Sequence, residues 1–191
     1  MNQVSCSFLT FKSFKAYLWH KSHVMELQKV FLRKIGDYMI RRCKREDIPF
    51  VISINLTSLP EHYSDLFFEE ILNELPEAFL VAERNGIVVG YIMCRIEYGL
   101  SILRKFGLAR KGHIVSIAVL EEHRRKGLGQ GLVEEALQAL KNRNCSEIYL
   151  EVRVSNSEAI KLYGKLGLKV VSRLRWYYRD GEDAYMMAMA L

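Results

Sequence analysis

Six consecutive residues, Arg124-Arg125-Lys126-Gly127-Leu128-Gly129, set three cations directly before a glycine-bounded turn. The apolar spacing that follows (Leu128, Leu132, Val133, Ala136, Leu137, Leu140) is that of a helix. A helix start of this kind traps anions, because its unpaired N–H groups point outward and the helix dipole adds positive potential. Glycine lets a phosphate approach the backbone without interference from Cβ. A pyrophosphate is the ligand this arrangement suits. Position 132 is Leu, so a G-x-G-x-x-G dinucleotide loop is incomplete, and the Gly-Lys-Ser/Thr of a Walker loop is absent. A plain turn with a helix cap remains the other reading of the same residues.

Two further residues invite chemistry. Glu151 lies within the apolar run Ile148-Tyr149-Leu150-Glu151-Val152. A carboxylate there is costly to bury unless it lines a cleft or has a partner. His113 stands near the start of the strand-like Gly112–Val119, which leads into the basic turn. If those two strands are adjacent and parallel, both side chains reach one cleft. The plainer alternatives are a hydrogen-bonded strand end for His113 and an ion pair with nearby Arg153 for Glu151. Two such groups are weak evidence for a metal site, and no metal is expected.

The elements that must position these groups follow from periodicity and turn chemistry. Tyr38–Arg42 reads as a short strand. Asp47 and Pro49 open a helix with Ile48, Val51, Ile52 and Leu56 on one face, ended by Leu59-Pro60. Asp65–Glu74 is a second helix, with Leu66, Phe67, Ile71 and Leu75 apolar. Ala78–Glu83 and Ile87–Ile96 are strands joined at Asn85-Gly86, a strong hairpin signal. A basic loop spans Arg104–Lys111. Strand Gly112–Val119, the charged loop Glu121–Lys126, the helix after Gly127 and strand Ile148–Val152 come next. Ser155-Asn156-Ser157-Glu158 matches a capping box with Ser155 at the cap, opening a helix that Gly167 ends. Strands Lys169–Tyr177 and Asp183–Ala190 flank an Asp180-Gly181 turn. The order β-α-α-β-β-β-α-β-α-β-β predicts an α/β protein: one mixed, mostly antiparallel sheet with helices on both faces.

The 191 residues suit one domain, placed at 37–191 behind an N-terminal extension, 1–36. In that extension Phe8, Phe11, Phe14, Tyr17 and Leu18 recur at helical spacing among Lys12, Lys15 and Lys21. It reads as a helix packing on the domain, as a surface- or ribosome-seeking arm, or as sequence ahead of a start at Met25. It lacks the apolar core and cleavage site of a secretory signal. Half of the residues are hydrophobic and only 3 are Pro, which excludes disorder throughout. No apolar run is long enough to span a membrane. A net charge of +6 favours anionic partners without choosing among them. Cys6, Cys43, Cys94 and Cys145 are scattered without a C-x-x-C, which fits isolated thiols in a reducing cytoplasm.

Arg124-x-x-Gly127-x-Gly129 after a strand resembles the pyrophosphate loop of the GNAT superfamily, the acetyl-CoA-dependent N-acetyltransferases. Asn156-x-x-Ala159-x-x-x-Tyr163-x-x-x-Gly167-Leu168 resembles that superfamily's second signature. Within it, the chain is similar to archaeal protein N-terminal (N-alpha) acetyltransferases, relatives of the NatA catalytic subunit and of bacterial RimI. The residues concerned are Leu59-Pro60-Glu61-His62-Tyr63, Gly112–Val119, Arg124–Gly127, Tyr149–Asn156 and Tyr177–Tyr185. His62 departs from the usual Asn. The resemblance covers about residues 38 to 191.

What it implies is a GNAT fold and transfer of acetyl from acetyl-CoA to the free α-amino group of protein N-termini or nascent chains. The amine attacks directly, without an enzyme nucleophile. The resemblance assigns His113 and Glu151 as general bases acting through ordered water, and Tyr163 as general acid and cofactor contact. It assigns the backbone of Ile117, Ala118 and Val119 to the pantetheine arm. Arg124, Arg125, Lys126, Gly127, Leu128, Gly129 and Gln130 fall to the pyrophosphate, with Asn156 beside them. Leu59, Pro60, Glu61 and Tyr63 form one wall for the peptide, and Tyr177 and Tyr178 the other. Ribosome association is an open expectation; a membrane or a specific nucleic acid is not expected as partner. Two rivals stand beside this reading: acetylation of lysines or small amines, and a non-catalytic CoA- or RNA-binding module.

Overall fold

The computed structural model describes residues 31–191. The strands are β1 (Phe31–Ile35), β2 (Tyr38–Arg42), β3 (Phe79–Arg84), β4 (Ile87–Leu100), β5 (Leu108–Val119), β6 (Glu147–Arg153), β7 (Lys169–Leu174) and β8 (Ala184–Ala190). The helices are α1 (Ile48–Ser58) and α2 (Asp65–Glu74) before β3, α3 (Leu128–Asn142) after β5, and α4 (Ser157–Lys165) after β6. All eight strands form one sheet in the order β1-β2-β3-β4-β5-β6-β8-β7. Every neighbouring pair is antiparallel except β5 with β6. The mixed, mostly antiparallel sheet read from the sequence is what the chain forms.

Period-two alternation divides the core between the two faces. Phe79 and Val81 of β3 pack with Val51 and Ile54 of α1 and Phe68 and Ile71 of α2. Leu80 and Ala82 point the other way, into a core with Leu128, Leu132, Val133, Ala136 and Leu140 of α3 and Tyr163 of α4. Helices therefore cover both faces. On α3 the predicted apolar stripe faces inward, and Gly131 lies within it. A Cβ at Gly131 would come within 2.6 Å of Ile35 and 2.8 Å of Ile40, so glycine lets α3 settle onto β1 and β2.

Several expectations need correction. Among the described residues the sheet already includes Phe31–Ile35, inside the stretch assigned to the extension. Arg33 of β1 pairs with Glu134 and Glu135 of α3. The amphipathic pattern at Phe8–Leu18, the start at Met25 and Cys6 lie outside the described residues. On α1 the inward face is Ile48, Val51, Ile54 and Asn55, whereas Leu56 is exposed. On α2 Phe68 is fully buried and Leu66 is out in solvent. Pro49 and the hydrogen-bonding needs of Asn55 set the phase of α1, which apolar spacing alone misjudges. β4 and β5 run further than predicted, and the basic loop shrinks to 101–107. Glu147, itself buried, holds that loop by accepting from Ser101 Oγ and from the Ile102 N–H at 2.8 Å. β7 ends at Leu174 because Trp176 turns the chain at φ 58°.

Before α1, the buried Asp47 carboxylate takes both arms of Arg41, at 2.6 and 2.9 Å, and the Lys44 N–H at 2.8 Å. Burial alone raises the Asp47 pKa, but the Arg41 and Lys44 hydrogen bonds outweigh it and hold the group below its usual range. A lowered folded-state pKa contributes stability above the unfolded value, near 3.9, that is lost as pH falls through the folded value. Asp47→Asn leaves the buried Arg41 guanidinium with Glu83, at 2.7 Å, as its remaining carboxylate partner, and is expected to cost about 1.5–3 kcal/mol at neutral pH. In urea denaturation its deficit against the wild type should shrink below about pH 4; a deficit independent of pH would refute this account.

Candidate active site

The parallel pair is short. β5 and β6 share register only at Lys111↔Glu147, Gly112↔Ile148 and His113↔Tyr149. Beyond that point β5 continues to Val119 beside β4, and β6 continues to Arg153 beside β8. The two strands part, and between them lies a cavity of about 730 Å³, lined by residues 114–117 of β5 and 150–153 of β6. That size is within the usual range for small-molecule sites. Beyond His113 this edge of β5 has no strand partner; side chains reach it instead, Tyr63 Oη donating to the Val115 carbonyl at 3.2 Å and Arg124 Nε to the Val119 carbonyl at 2.9 Å.

At the vertex stand the two residues singled out from the sequence. His113 Nε2 lies 2.8 Å from Glu151 Oε2, and both line the cavity. Glu151 is thus partnered by the histidine and not by Arg153. His113 stacks flat on Tyr149, with centroids 4.4 Å apart and planes 3° from parallel. Its Nδ1 is buried without a hydrogen-bond partner, 3.6 Å from Glu97. Tyr163 lines the same cavity. Burial raises its pKa well above the ordinary phenol value, so it keeps its proton at neutral pH.

Two walls face each other across the opening. Leu59, Pro60, Glu61, His62 and Tyr63 form one, and Tyr177 and Tyr178 the other. His62 closes the first loop locally, with Nε2 2.9 Å from the Leu59 carbonyl. Burial, reinforced by the Glu151 charge, pushes the Tyr177 phenol up to about 12.

Arg153 joins the walls. Its guanidinium reaches Glu61 at 2.5 Å and Asp180 and Glu182 at 2.7 Å each, and it lies over the Tyr178 ring at 4.0 Å. A second brace runs beneath. Asn55 Nδ2 donates to the Glu61 carbonyl at 3.1 Å and to Tyr91 Oη at 3.0 Å, and Tyr91 Oη lies 2.7 Å from Ser116 Oγ.

The residues assigned to a cofactor divide. Ile117, Asn156 and Tyr163 line the cavity, while Arg124–Gln130 lie beyond its lining. Gly127 caps α3 at φ 83°, a conformation glycine adopts without strain. Leu128 is buried in the core, which leaves its N–H but not its side chain for a ligand. Ala118 packs into the core under α1 and α2. Arg124 Nε donates to the Val119 carbonyl at 2.9 Å, Arg125 pairs with Glu158, Lys126 donates to Tyr38 Oη at 3.1 Å, and Gln130 donates to Glu134 at 2.8 Å. The helix cap is Asn156 and not Ser155: Asn156 Oδ1 accepts from the Ala159 N–H at 3.1 Å. No group of three or more metal-binding side chains occurs among the described residues.

Residues 48–168 match the acetyltransferase (GNAT) family. An N-alpha-acetyltransferase of Sulfurisphaera tokodaii is 53% identical over 161 residues, covering 83% of this chain and 96% of that protein. The chain belongs to the GNAT family. An N-alpha-acetyltransferase of Sulfolobus acidocaldarius is 50% identical over 169 residues, covering 87% of this chain and 100% of its own. Among solved structures, Ard1 from Thermoplasma volcanium is 33% identical, with a TM-score of 0.68 over 81% of this chain and 98% of that one. The NatC complex bound to Gag peptide and CoA gives a TM-score of 0.73 at 28% identity, over 81% and 99%.

Sequence reasoning missed the supports of this GNAT site: Asn55, Tyr91, Ser116, Arg95, Glu97 and the clamping role of Arg153. Asn55 carries a signal in hindsight, as a lone amide on an apolar helix face. Removing the clamp should loosen both walls together. Arg153→Gln is expected to speed amide exchange about tenfold or more at Glu61–Tyr63 and Tyr178–Glu182 but not in β4, since charged hydrogen bonds contribute roughly 1.5–3 kcal/mol each. Exchange that rises at one wall only would contradict the clamp.

Proposed function

We propose that the protein transfers the acetyl group of acetyl-CoA to the free α-amino group of protein N-termini. The observation that carries this reading is the His113–Glu151 pair facing a cavity walled by the 59–63 loop and by Tyr177 and Tyr178. The relatives named above bear the name of that activity.

The chemistry fits the groups present. An α-amino group has a pKa near 7.7–8.0 against about 10.4 for lysine. At pH 7 roughly a tenth of α-amines are neutral and far under 1% of lysines are. A modest base therefore suffices for a chain end. Acetyl-CoA supplies the activated acyl group. The parted strands fit it, with the β5 edge along Ile117–Val119 unpaired to β6, the basic Arg124–Lys126 run, the Gly127-Leu128-Gly129 turn with Gln130 on its helix, and Asn156. Glu151 and His113 take the amine proton, through water. A β5 N–H supports the developing oxyanion. Tyr163, kept protonated by burial, donates to the departing thiolate. Leu59, Pro60, Glu61 and Tyr63, facing Tyr177 and Tyr178, hold the chain end. A lysine flanked by backbone on both sides meets a slot closed by the Arg153 clamp, which weighs against lysine as substrate.

We place the protein in the cytoplasm, acting on nascent chains near the ribosome. Cys43, Cys94 and Cys145 are buried and unbridged, which suits a reducing compartment. The net charge of +6 suits an anionic surface such as ribosomal RNA, without base-specific contacts. No described helix is long and apolar enough to cross a membrane.

Peptides with free Ser, Ala or Met starts should accept acetyl, while N-blocked peptides with an internal lysine should not; equal rates would defeat the N-terminal assignment. His113→Ala and Glu151→Gln should each lower kcat about 10²–10⁴-fold while calorimetry still finds acetyl-CoA bound. Gly127→Ala places a Cβ in a left-handed conformation, strained by about 1–2 kcal/mol, and should weaken acetyl-CoA binding without changing the peptide preference. Unchanged binding would remove the turn from the cofactor site.

A further inference from the structure

Tyr98, Leu100, Phe106 and Leu108 are each 73–80% exposed, and all four belong to the β4–β5 hairpin. Apolar side chains exposed singly are ordinary, but a group of them on one element marks an interaction site.

Register explains why they stand clear. β4 pairs with β3 only as far as Met93, and β6 joins β5 only at Lys111. Between Tyr98 and Arg110 the two strands therefore form an arm that no other strand flanks. Leu140 of α3 lies over Gly112, where a Cβ would come within 2.6 Å of it, and α3 ends two residues later at Asn142. Tyr98 pairs with Arg110 and Leu100 with Leu108, so these four side chains share one face, the face that α3 covers further along the sheet. The end of the arm is held in shape. Buried Glu147 accepts from Ser101 Oγ and from the Ile102 N–H at 2.8 Å, and Arg104 donates to the Leu108 carbonyl at 3.0 Å.

Charge narrows the choice of partner. Residues 98–111 include Arg104, Lys105, Arg110 and Lys111 and no acid. The flanking acids are engaged: Glu147 holds the loop, and Glu97 takes Arg95 and Tyr149 Oη at 2.6 Å each. A second copy of the chain would set the same cations against these. So would residues 1–30, whose apolar positions are interleaved with Lys12, Lys15 and Lys21. RNA meets the cations but leaves Leu100 and Leu108 unpartnered. An acidic helix docks in a groove, whereas these side chains stand on a projection. A bilayer interface meets both demands: its anionic headgroups attract the cations, and the acyl boundary takes up Leu and Phe from a projecting tip.

We propose that the β4–β5 arm is a peripheral membrane-docking tip. Leu100, Phe106 and Leu108 enter the headgroup layer of an anionic bilayer, and the four cations around them hold it there. This holds whatever the cavity binds. The arm lies at one end of β5 and the cavity-lining residues 114–117 lie towards the other, so docking leaves the cavity unoccupied. Span length, on which the expectation of no membrane partner rested, has no bearing on a tip that stays in the interface.

Co-sedimentation of the full chain with vesicles tests this. Vesicles of phosphatidylglycerol and phosphatidylcholine in equal parts should bind it at least about tenfold more tightly than phosphatidylcholine alone. Raising salt from about 0.1 M to about 1 M, which shortens the screening length from about 10 Å to about 3 Å, should remove most of that difference. Leu100→Ser combined with Phe106→Ser should weaken binding about tenfold or more, and Lys105→Gln combined with Lys111→Gln should remove the preference for the anionic lipid. Phe106→Trp keeps an aromatic ring at the tip and serves if the serine pair does not fold. Its emission should shift to the blue when the anionic vesicles are added, beyond any shift of the wild type. No binding to the anionic vesicles, or no such shift, overturns the docking tip. Equal binding by the serine pair also overturns it, since the affinity then resides elsewhere in the chain. Binding of a duplex RNA with no binding of vesicles would assign the arm to nucleic acid, and a dimer lost in the serine pair would assign it to a second copy; either result overturns it as well.

Discussion

Two parallel strands that pair for three residues and then separate create a demand that nothing inside the sheet meets. After His113↔Tyr149 the facing edges of β5 and β6 carry backbone donors and acceptors without ladder partners. An edge of this kind accepts an extended ligand as an added strand. The parting also sets where side chains go. It leaves His113 and Glu151 at the vertex, where the strands are still close enough for a 2.8 Å contact, and opens the cavity ahead of them. Were the pairing to continue along β6, Glu151 would be a buried carboxylate within a closed sheet.

The vertex is held open by polar ties from outside the sheet. Arg153 spans from the loop before α2 to the turn before β8, and Asn55 ties the same loop to Tyr91 and, through it, to Ser116. These ties span the opening, so the walls keep a fixed separation rather than collapsing onto the cavity. Apolar packing alone would favour closing it.

Much of this was legible in the chain. The Asn85-Gly86 turn and the α3 stripe marked a hairpin and a covering helix, and an acidic residue in the middle of Ile148–Val152 drew attention to Glu151 for a sound reason, the difficulty of burying it. Contacts made by polar residues at a distance were not legible. The phase of α1 depends on Asn55 finding Tyr91, 36 residues on. The end of β7 depends on a left-handed Trp176, a conformation unusual for a bulky residue. β1 was missed because its five residues, Phe31–Ile35, include Arg33 and Lys34, and its partner β2 lies only a two-residue turn away. Glu97 and Tyr149 were passed over since neither breaks an apolar pattern that draws notice.

That short first strand is part of the packed unit. Ile35 fills the space that Gly131 leaves on α3, and Arg33 neutralises two acids on the same helix. A fragment trimmed to start at residue 37 would retain every signature by which the family is recognised. It would nonetheless bare the underside of α3, trading a seated helix for one that can rock.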